Sequence, residues 1–506
     1  MTTILAYDFG TTSLKAAVIE DGRLVAEANS AYPIRQEQPG WAEQDPDLLW
    51  DAACQAGRRA LEGSQAGEGA SRVVDAVVFV APWKAIIPVA DGAPLRDAII
   101  WMDGRAAAQA DRLNAAVGEF VGTGQEYWPR LMWLKESEAA VWQRAEWFMG
   151  MTTYLRWRAT GVVVTEPSDD FMRSEASMVA ARLQAVLRAA GLDGDVDRFP
   201  PVVASTSIVG RVTAEAAAQL GVPEGTPVAA GFGDLPAITV GADAARAGDV
   251  HIYFGTSSWL SVVEEAHTPI DAPLHFALDE NTRAATFALQ TGCLAYDWIV
   301  EQMYGAEKAH LNDGIQQLVN AEVAEVPAGA DNLLATHWLN GELPPLSKSA
   351  KGLFLNLTTS HDRRHMVRAM MESICYSHRA SLARWEEQTG ERRDEVRVVG
   401  GGAVSTVWMQ MLADVLGRTV VVPNAPRYAG VLGAYACAET ALTDAGGAAR
   451  VVASSERPVA RFTPDPANVP VYDRLFAISQ RLFPALSEIF ADLNAPATQE
   501  GTVVSP

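Results

Sequence analysis

Apolar positions open the chain as a short unbroken run, Ile4 to Tyr7, which stops at Asp8 and a Gly10-Thr11-Thr12 turn and resumes in "SLKAAVIE". Runs of this length bounded by turn residues predict buried strands. Asp21-Gly22 predicts a tight hairpin into a third strand, "RLVAEANSAY". The period then changes. In "QDPDLLWDAACQAGRRALEG", Leu49, Ala52, Ala53 and Ala56 recur at helical spacing, with Asp45 placed to cap and Pro46 at the first helical position. "RVVDAVVFVAP" reads as a further buried strand. Three meandering strands, a helix and a strand predict an α/β domain with a mixed sheet.

The second half repeats this opening. "DFGTTSLKAAVIE" from Asp8 and "YFGTSSWLSVVEE" from Tyr253 share Phe-Gly-Thr, then Thr or Ser, then Ser, each followed by an apolar strand. Self-similarity at matched spacing predicts two related domains, each opening with a strand, a glycine turn and a strand. The copies differ at one informative place: Asp8 precedes Phe9, whereas Tyr253 precedes Phe254. Two such turns facing one cleft, only one with a carboxylate, would hold a polyphosphate and a single metal ion asymmetrically.

Between the copies lies "AAGFGDLPAITVGA", where Asp234 is the one charge among small and apolar residues. Asp is a favoured helix N-cap and Pro236 suits a first turn, so Asp234 reads as the cap of a helix running through Ile238. The same helix dipole and amides can keep its carboxylate ionised, with an ordinary pKa near ~4, ready to take a proton from a bound substrate. Both readings stand on local pattern. Further on, "SHDRRHMVRAMMESICYSHRASLARWEEQTG" predicts a long helix ending at Gly390. "EVRVVGGGAVSTVWMQMLADVLGRTVVVP" predicts strand, glycine loop, helix, strand, with no side chain at Gly400 to Gly402 to bar a flat ligand. The loop is neither a dinucleotide fingerprint nor a P-loop. "APRYAGVLGAYACAETAL" predicts a small-residue helix able to pack tightly beside that loop. The halves are expected to part between Gly241 and Asp249, giving residues 1–245, 246–494 and a frayed tail, 495–506.

Composition narrows the partners. The 506 residues exceed one ordinary core, 49% are hydrophobic, and the net charge of −22 argues against nucleic acid and anionic membranes. No apolar run approaches the ~20 residues of a membrane span, and the N-terminus lacks a basic leader. Cys54, Cys293, Cys375 and Cys437 lie far apart in sequence, which predicts buried thiols in a reducing cytoplasm. His361 and His365 have the i, i+4 spacing of a metal pair, but with no third ligand in view they read as surface or capping residues.

Taken in order, the Asp-Phe-Gly-Thr-Thr turn, the Gly-Asp after a glycine run, the Phe-Gly-Thr-Ser turn and the late Gly-Gly-Gly-Ala loop resemble the FGGY carbohydrate kinase family, most closely its xylulokinase-like members, over Ile4 to Leu442. "PGWAEQDPDLLW", "AIIWMDGRA", "YLRWRATG" and "KGLFLNLTTSHDRRHMVRAMMESI" add to the likeness, with Asn356 where the family's glycine is usual. The resemblance implies two ribonuclease-H-like domains with an interdomain cleft, as in the sugar kinase, actin and chaperone ATPase superfamily. It implies ATP-dependent phosphorylation of a hydroxyl of a small ketose or polyol with Mg²⁺, and closure of the domains over the sugar. Asp8, Gly10, Thr11 and Thr12 resemble the family's first phosphate loop, with Asp8 at the metal. Gly255, Thr256 and Ser257 resemble the second, and Gly401, Gly402 and Ala403 the adenosine loop. Asp234 resembles the catalytic base, and Asp103 stands where relatives contact the sugar.

One stretch departs from the family. Ala81-Pro82-Trp83-Lys84 replaces the usual Gln-Met-His-Gly, so polar sugar-binding groups give way to an indole and an ammonium. Trp83 then either packs in the core or walls the site against a different sugar or polyol. Glu126, Tyr127 and Trp128 are further specificity candidates. The expected partners are a small sugar or polyol and, at most, a second copy of the chain as a homodimer. Two other readings remain: a sugar-sensing protein with impaired catalysis, and a superfamily ATPase coupled to a partner.

Overall fold

The computed structural model describes residues 2–64, 73–169, 180–266, 268–278, 281–311, 314–343, 346–347, 349–443 and 459–494; the expected tail, 495–506, lies outside them. Strands β1 (Thr3–Phe9), β2 (Ser13–Glu20), β3 (Arg23–Ala31), β4 (Ala76–Val80), β5 (Ile208–Arg211) and β6 (Pro227–Ala229) form one sheet in the order β5-β6-β4-β1-β2-β3. Strands β7 (Val250–Phe254), β8 (Ser258–Glu265), β9 (Leu274–Ala277), β10 (Thr282–Leu289), β11 (Glu395–Gly400), β12 (Thr419–Pro423) and β13 (Val459–Phe462) form a second, in the order β9-β10-β8-β7-β11-β12-β13.

The repeat seen in sequence is a repeat of topology. In each sheet an antiparallel meander (β1-β2-β3, β7-β8-β10) gains a parallel neighbour on its first strand, β4 beside β1 and β11 beside β7. The mixed α/β sheet expected of the first half is thus present twice. Its local signals act as read. Asp21 and Gly22 both take positive φ at the hairpin, 45° and 77°, the conformation a two-residue turn requires. Asp45 accepts the amides of Asp47 (3.0 Å) and Leu48 (3.4 Å) at the start of helix α1 (Pro46–Ser64).

β1 is buried on both faces. Leu5, Tyr7 and Phe9 face a core that includes the apolar side of α1, whereas Ile4 and Ala6 face helices α2 (Asp234–Gly241) and α6 (Ala429–Thr443). Helices α3 (Cys293–Leu311), α4 (Arg363–Thr389) and α5 (Thr406–Leu416) cover the second sheet. α4 ends at Gly390, φ 70°, and begins in a capping box: Asp362 accepts the His365 amide at 3.4 Å, and His365 Nδ1 accepts the Asp362 amide at 3.2 Å. The His361/His365 pair therefore serves the helix start, with His361 Nδ1 accepting the Thr358 amide at 3.0 Å.

The small-residue helix meets its expectation in part. The short turn before it, Pro426–Tyr428, neighbours the glycine loop, and Ala429 at the helix start packs with Val399. α6 itself crosses to the first sheet and packs against α2. The reason is its spacing. A Cβ on Gly433 would fall on the Ala237 carbonyl, and one on Gly241 would fall on the Ala429 carbonyl. Ala237/Gly241 and Ala429/Gly433 thus form matching four-residue steps that let two helix backbones touch.

Candidate active site

Both glycine turns end up at the carboxyl ends of parallel strands, where open α/β sheets bind ligands. Asp8 pairs with Val80 across β1/β4, and the next residue on β4's side, Ala81, bridges to Gly233. Asp8, the Ala81–Lys84 stretch and the start of α2 therefore line up at one sheet end. In the second sheet Phe254 pairs with Gly400, so the second turn and the glycine loop lie side by side.

Each turn is built to present amides. The carbonyl of Gly10 accepts the Tyr32 hydroxyl (2.5 Å), that of Thr11 accepts Gln44 Nε2 (2.7 Å), and that of Thr12 accepts the Tyr32 amide (3.0 Å). In a planar trans peptide the following N–H points the opposite way. The amides of Thr11, Thr12 and Ser13 are thereby turned away from those anchors. The second turn repeats the device with other donors: the amide of Cys293, the first residue of α3, takes the Gly255 carbonyl (2.8 Å), and the Gly292 amide takes that of Thr256 (3.1 Å). Thr256 and Ser257 amides face outward in turn. Clusters of this kind hold anions. Gln44 and Tyr32, which fix the first turn, escaped sequence reading because they bond across the fold to backbone rather than by pattern.

The charged groups converge on this crevice. Burial raises Asp8, opposed by the neighbouring Lys15 ammonium. Burial and the Asp8 charge raise Asp234 to about 7, opposed by the Leu235 amide, which its Oδ1 accepts at 3.0 Å. Burial, then Asp8 and Asp234, raise Tyr253. An ordinary Asp234 pKa is therefore incorrect for the free protein. So is its placing as N-cap: Gly233 holds that position (φ −63°, ψ 167°), and Asp234 is the first helical residue.

Tyr253 occupies the place of Asp8 in the second copy. Where Asp8 pairs with Lys15, Tyr253 pairs with Trp259, their rings stacked at 4.2 Å. The ring lies over Gly255, which has no room for a Cβ. Gly400 is pressed against the Phe254 carbonyl with φ 101°, Gly402 packs on the Phe254 side chain, Gly401 meets nothing within 4 Å, and the Ala403 side chain is buried. Gly401 is thus the open point of the loop.

Beside the first turn a narrow crevice is lined by Thr11, Gln44, Trp83, Ile100, Trp101 and Met151. Trp83 is partly buried against the cluster that contains Leu235 and Ile238 of α2, and it also lines the crevice. Lys84, at φ 59°, is ion-paired with Glu126 at 2.7 Å. Tyr127 and Trp128 are buried in the layer behind. Asp103 is fully buried: it binds Arg105 (2.7 Å) and the Ala42 amide (2.6 Å), with Arg105 stacked 3.7 Å from Trp41. Its carboxylate holds the loop around Trp41 rather than facing the crevice.

Two sequence profiles cover most of the chain: the N-terminal domain of the FGGY family of carbohydrate kinases matches residues 3–241, and the C-terminal domain of the same family matches 250–442. The chain belongs to this family. A xylulose kinase of Bacillus subtilis is 28% identical over 443 residues, 83% of this chain and 85% of that protein. A gluconokinase of Bacillus licheniformis is 26% identical over 442 residues, 83% and 84% of the two chains. A ligand-bound xylulose kinase of Lactobacillus acidophilus shares the fold, with a TM-score of 0.83 and 21% identity over 97% of this chain and 100% of that one.

The FGGY fold accounts for the doubled topology, and the chain is a carbohydrate kinase. Among the described residues no three His, Cys, Asp or Glu side chains converge as a metal cage. Asp8 nevertheless fits Mg²⁺, a hard cation that keeps waters and phosphate oxygens as ligands. A Cβ on Gly430, at the start of α6, would fall on the Asp8 carboxylate, so the glycine gives that group its room beside the helix. No helix of the described residues is long and apolar enough to cross a membrane.

Proposed function

We propose that this kinase transfers the γ-phosphoryl group of ATP to a hydroxyl of a small ketose or polyol, with Asp234 as general base. The observation that carries the reading is the pair of carboxylates, Asp8 and Asp234, close enough for one to lift the other's pKa, beside outward-facing turn amides. Phosphoryl transfer needs alignment and charge neutralisation more than covalent chemistry. The amides of Thr11, Thr12, Thr256 and Ser257 hold phosphoryl oxygens. Asp8 holds Mg²⁺, which when bound offsets phosphate charge. Gly401 and its neighbours admit the adenosine.

The acceptor lies in the crevice beside Thr11, with Trp83 and Trp101 as walls. Asp234, whose amide is fixed to the Ala81 carbonyl at 3.1 Å, receives the acceptor's proton. Few polar groups line that crevice. Gln44 has already committed its amide nitrogen to Thr11. Each unpaired acceptor hydroxyl costs about 1–3 kcal/mol, so the pocket favours an acceptor that turns C–H faces to the indoles. Closure of the two halves over it excludes water. ADP release over pentuloses, hexuloses, aldonates and linear polyols tests the reading. Acceptor-stimulated turnover is the expected result; hydrolysis indifferent to acceptor would point to a partner-coupled ATPase, and binding without turnover to a sensor.

The raised Asp234 pKa sets a pH dependence. The base must be ionised, and in the free protein half is protonated near pH 7. Below that pH, kcat/KM, which reports the free enzyme, is expected to fall about tenfold per pH unit. An acid limb near pH 4 in a pH–rate series would contradict the burial of this carboxylate.

A further inference from the structure

Glu166 is completely buried, and nothing above uses it. Three donors converge on its carboxylate: the Ser168 hydroxyl on Oε1 at 2.5 Å, and the Ser168 amide and Ser205 hydroxyl on Oε2, each at 2.9 Å. Ser168 passes the contact onward. Its Oγ accepts the Gly233 amide at 2.7 Å. Gly233 is the N-cap residue immediately before Asp234. The same segment is gripped at two further points, with Arg156 donating to the Ala230 carbonyl and the Gly231 amide donating to the Ser205 carbonyl at 3.1 Å.

We infer that Glu166 and Ser168 are positioning residues for the base: a one-way hydrogen-bond relay, Gly233 N–H to Ser168 Oγ–H to Glu166, fixes the peptide from which Asp234 projects. This rests on the reading of Asp234 as base. The direction of the relay follows from what each group can do. A backbone N–H can only donate, and an ionised carboxylate can only accept. The Ser168 hydroxyl between them has one proton, which goes to Glu166, and its lone pairs then face Gly233. No alternative arrangement satisfies all three.

Burying Glu166 is costly unless paired, and the buried Arg156 guanidinium supplies the opposing charge. A neutral hydrogen-bonding group would hold the loop as well but would leave the hydroxyl free to turn. The carboxylate removes that freedom. Precision here matters because a misplacement of about 1 Å at a reacting group can cost on the order of 100-fold in rate.

Ser168→Ala is expected to lower kcat roughly 10–100-fold, with KM for ATP and acceptor within about twofold and a lower unfolding midpoint, because the Gly233 amide and Glu166 each lose a buried partner. Ser168→Thr, which keeps the hydroxyl, should recover most of the loss. Glu166→Gln, whose amide can donate as well as accept, should lie between. On an Asp234→Ala background, Ser168→Ala should have almost no further effect, because a positioning residue loses its consequence with the group it positions. Hydrogen–deuterium exchange over residues 229–242 should quicken in Ser168→Ala whatever the turnover.

Undiminished kcat in Ser168→Ala, a loss equal on both backgrounds, or unaltered exchange in that peptide would overturn the relay. Full turnover in Asp234→Ala alone would instead overturn the base, with the exchange result still deciding whether Ser168 holds the loop.

Discussion

Asp234→Ala is expected to lower acceptor-stimulated turnover by about 10²–10⁴-fold, the range general-base catalysis supplies, while acceptor affinity by calorimetry stays within a few-fold. On the proposed reading, phosphate and acceptor are held by the turn amides and the crevice beside Thr11, neither of which depends on that side chain, so binding outlives chemistry. Asp234→Asn adds a second readout with opposite sign. Burial raises the folded-state pKa of Asp234 to about 7, above the ~3.9 of an unfolded aspartate. Between those values the folded chain binds more protons than the unfolded one, so stability falls as pH rises through the window. Above it, the ionised carboxylate carries its full cost. The Asn variant lacks that charge, and its unfolding midpoint should exceed the wild type's at pH 8 and match it near pH 4. A variant that loses turnover and gains alkaline stability marks a group kept for chemistry. Turnover equal to wild type would remove Asp234 from the mechanism.

Gly433→Val is expected to have the largest effect on folding. Its Cβ would enter the Ala237 carbonyl, a backbone atom that no rotamer change can move aside. Overpacking of this kind costs about 1–3 kcal/mol and sometimes more, and here two helices must separate along their length. α2 carries Asp234 and α6 brings Gly430 to Asp8, so the strain reaches both carboxylates. Melting should drop by roughly 2–4 °C for each kcal/mol lost, and any folded fraction should turn over poorly. Gly390→Ala serves as a comparison: Gly390 has positive φ but open space around it, so only the smaller backbone penalty applies. Equal behaviour of the two variants in thermal unfolding and steady-state assays would mean that the helices do not touch as described.

Much of the fold was legible in residue order because its signals are local. Hairpin residues Asp21-Gly22, the Asp45-Pro46 helix start and the Gly390 stop act through φ, ψ and amides a few positions away. The duplicated strand–turn–strand was legible for the same reason. Misreadings arose where the deciding partner is distant. Asp234 was read as a cap from its neighbours, but the Ala81 carbonyl takes its amide and Ser168 takes the preceding one, and the helix starts one residue earlier, with Gly233 as its N-cap. Asp103 stands where relatives contact the sugar, and what the sequence did not show is that its carboxylate takes the distant Ala42 amide as well as Arg105. The destination of α6 was hidden because a four-residue step of small residues shows that a helix can pack closely without showing against what.

Sequence alone determined which short segments are strands, turns and helices, that the chain contains one architecture twice, and that its glycine turns and lone carboxylates suit phosphoryl chemistry. Those properties depend on backbone preferences and on side chains within one turn of each other. Tertiary structure decided which way the turn amides face, in which direction burial moves the Asp234 pKa, what lines the crevice beside Thr11, and which helix packs against α2. Each of those depends on desolvation and on hydrogen bonds between residues far apart in the chain, and only packing sets those distances.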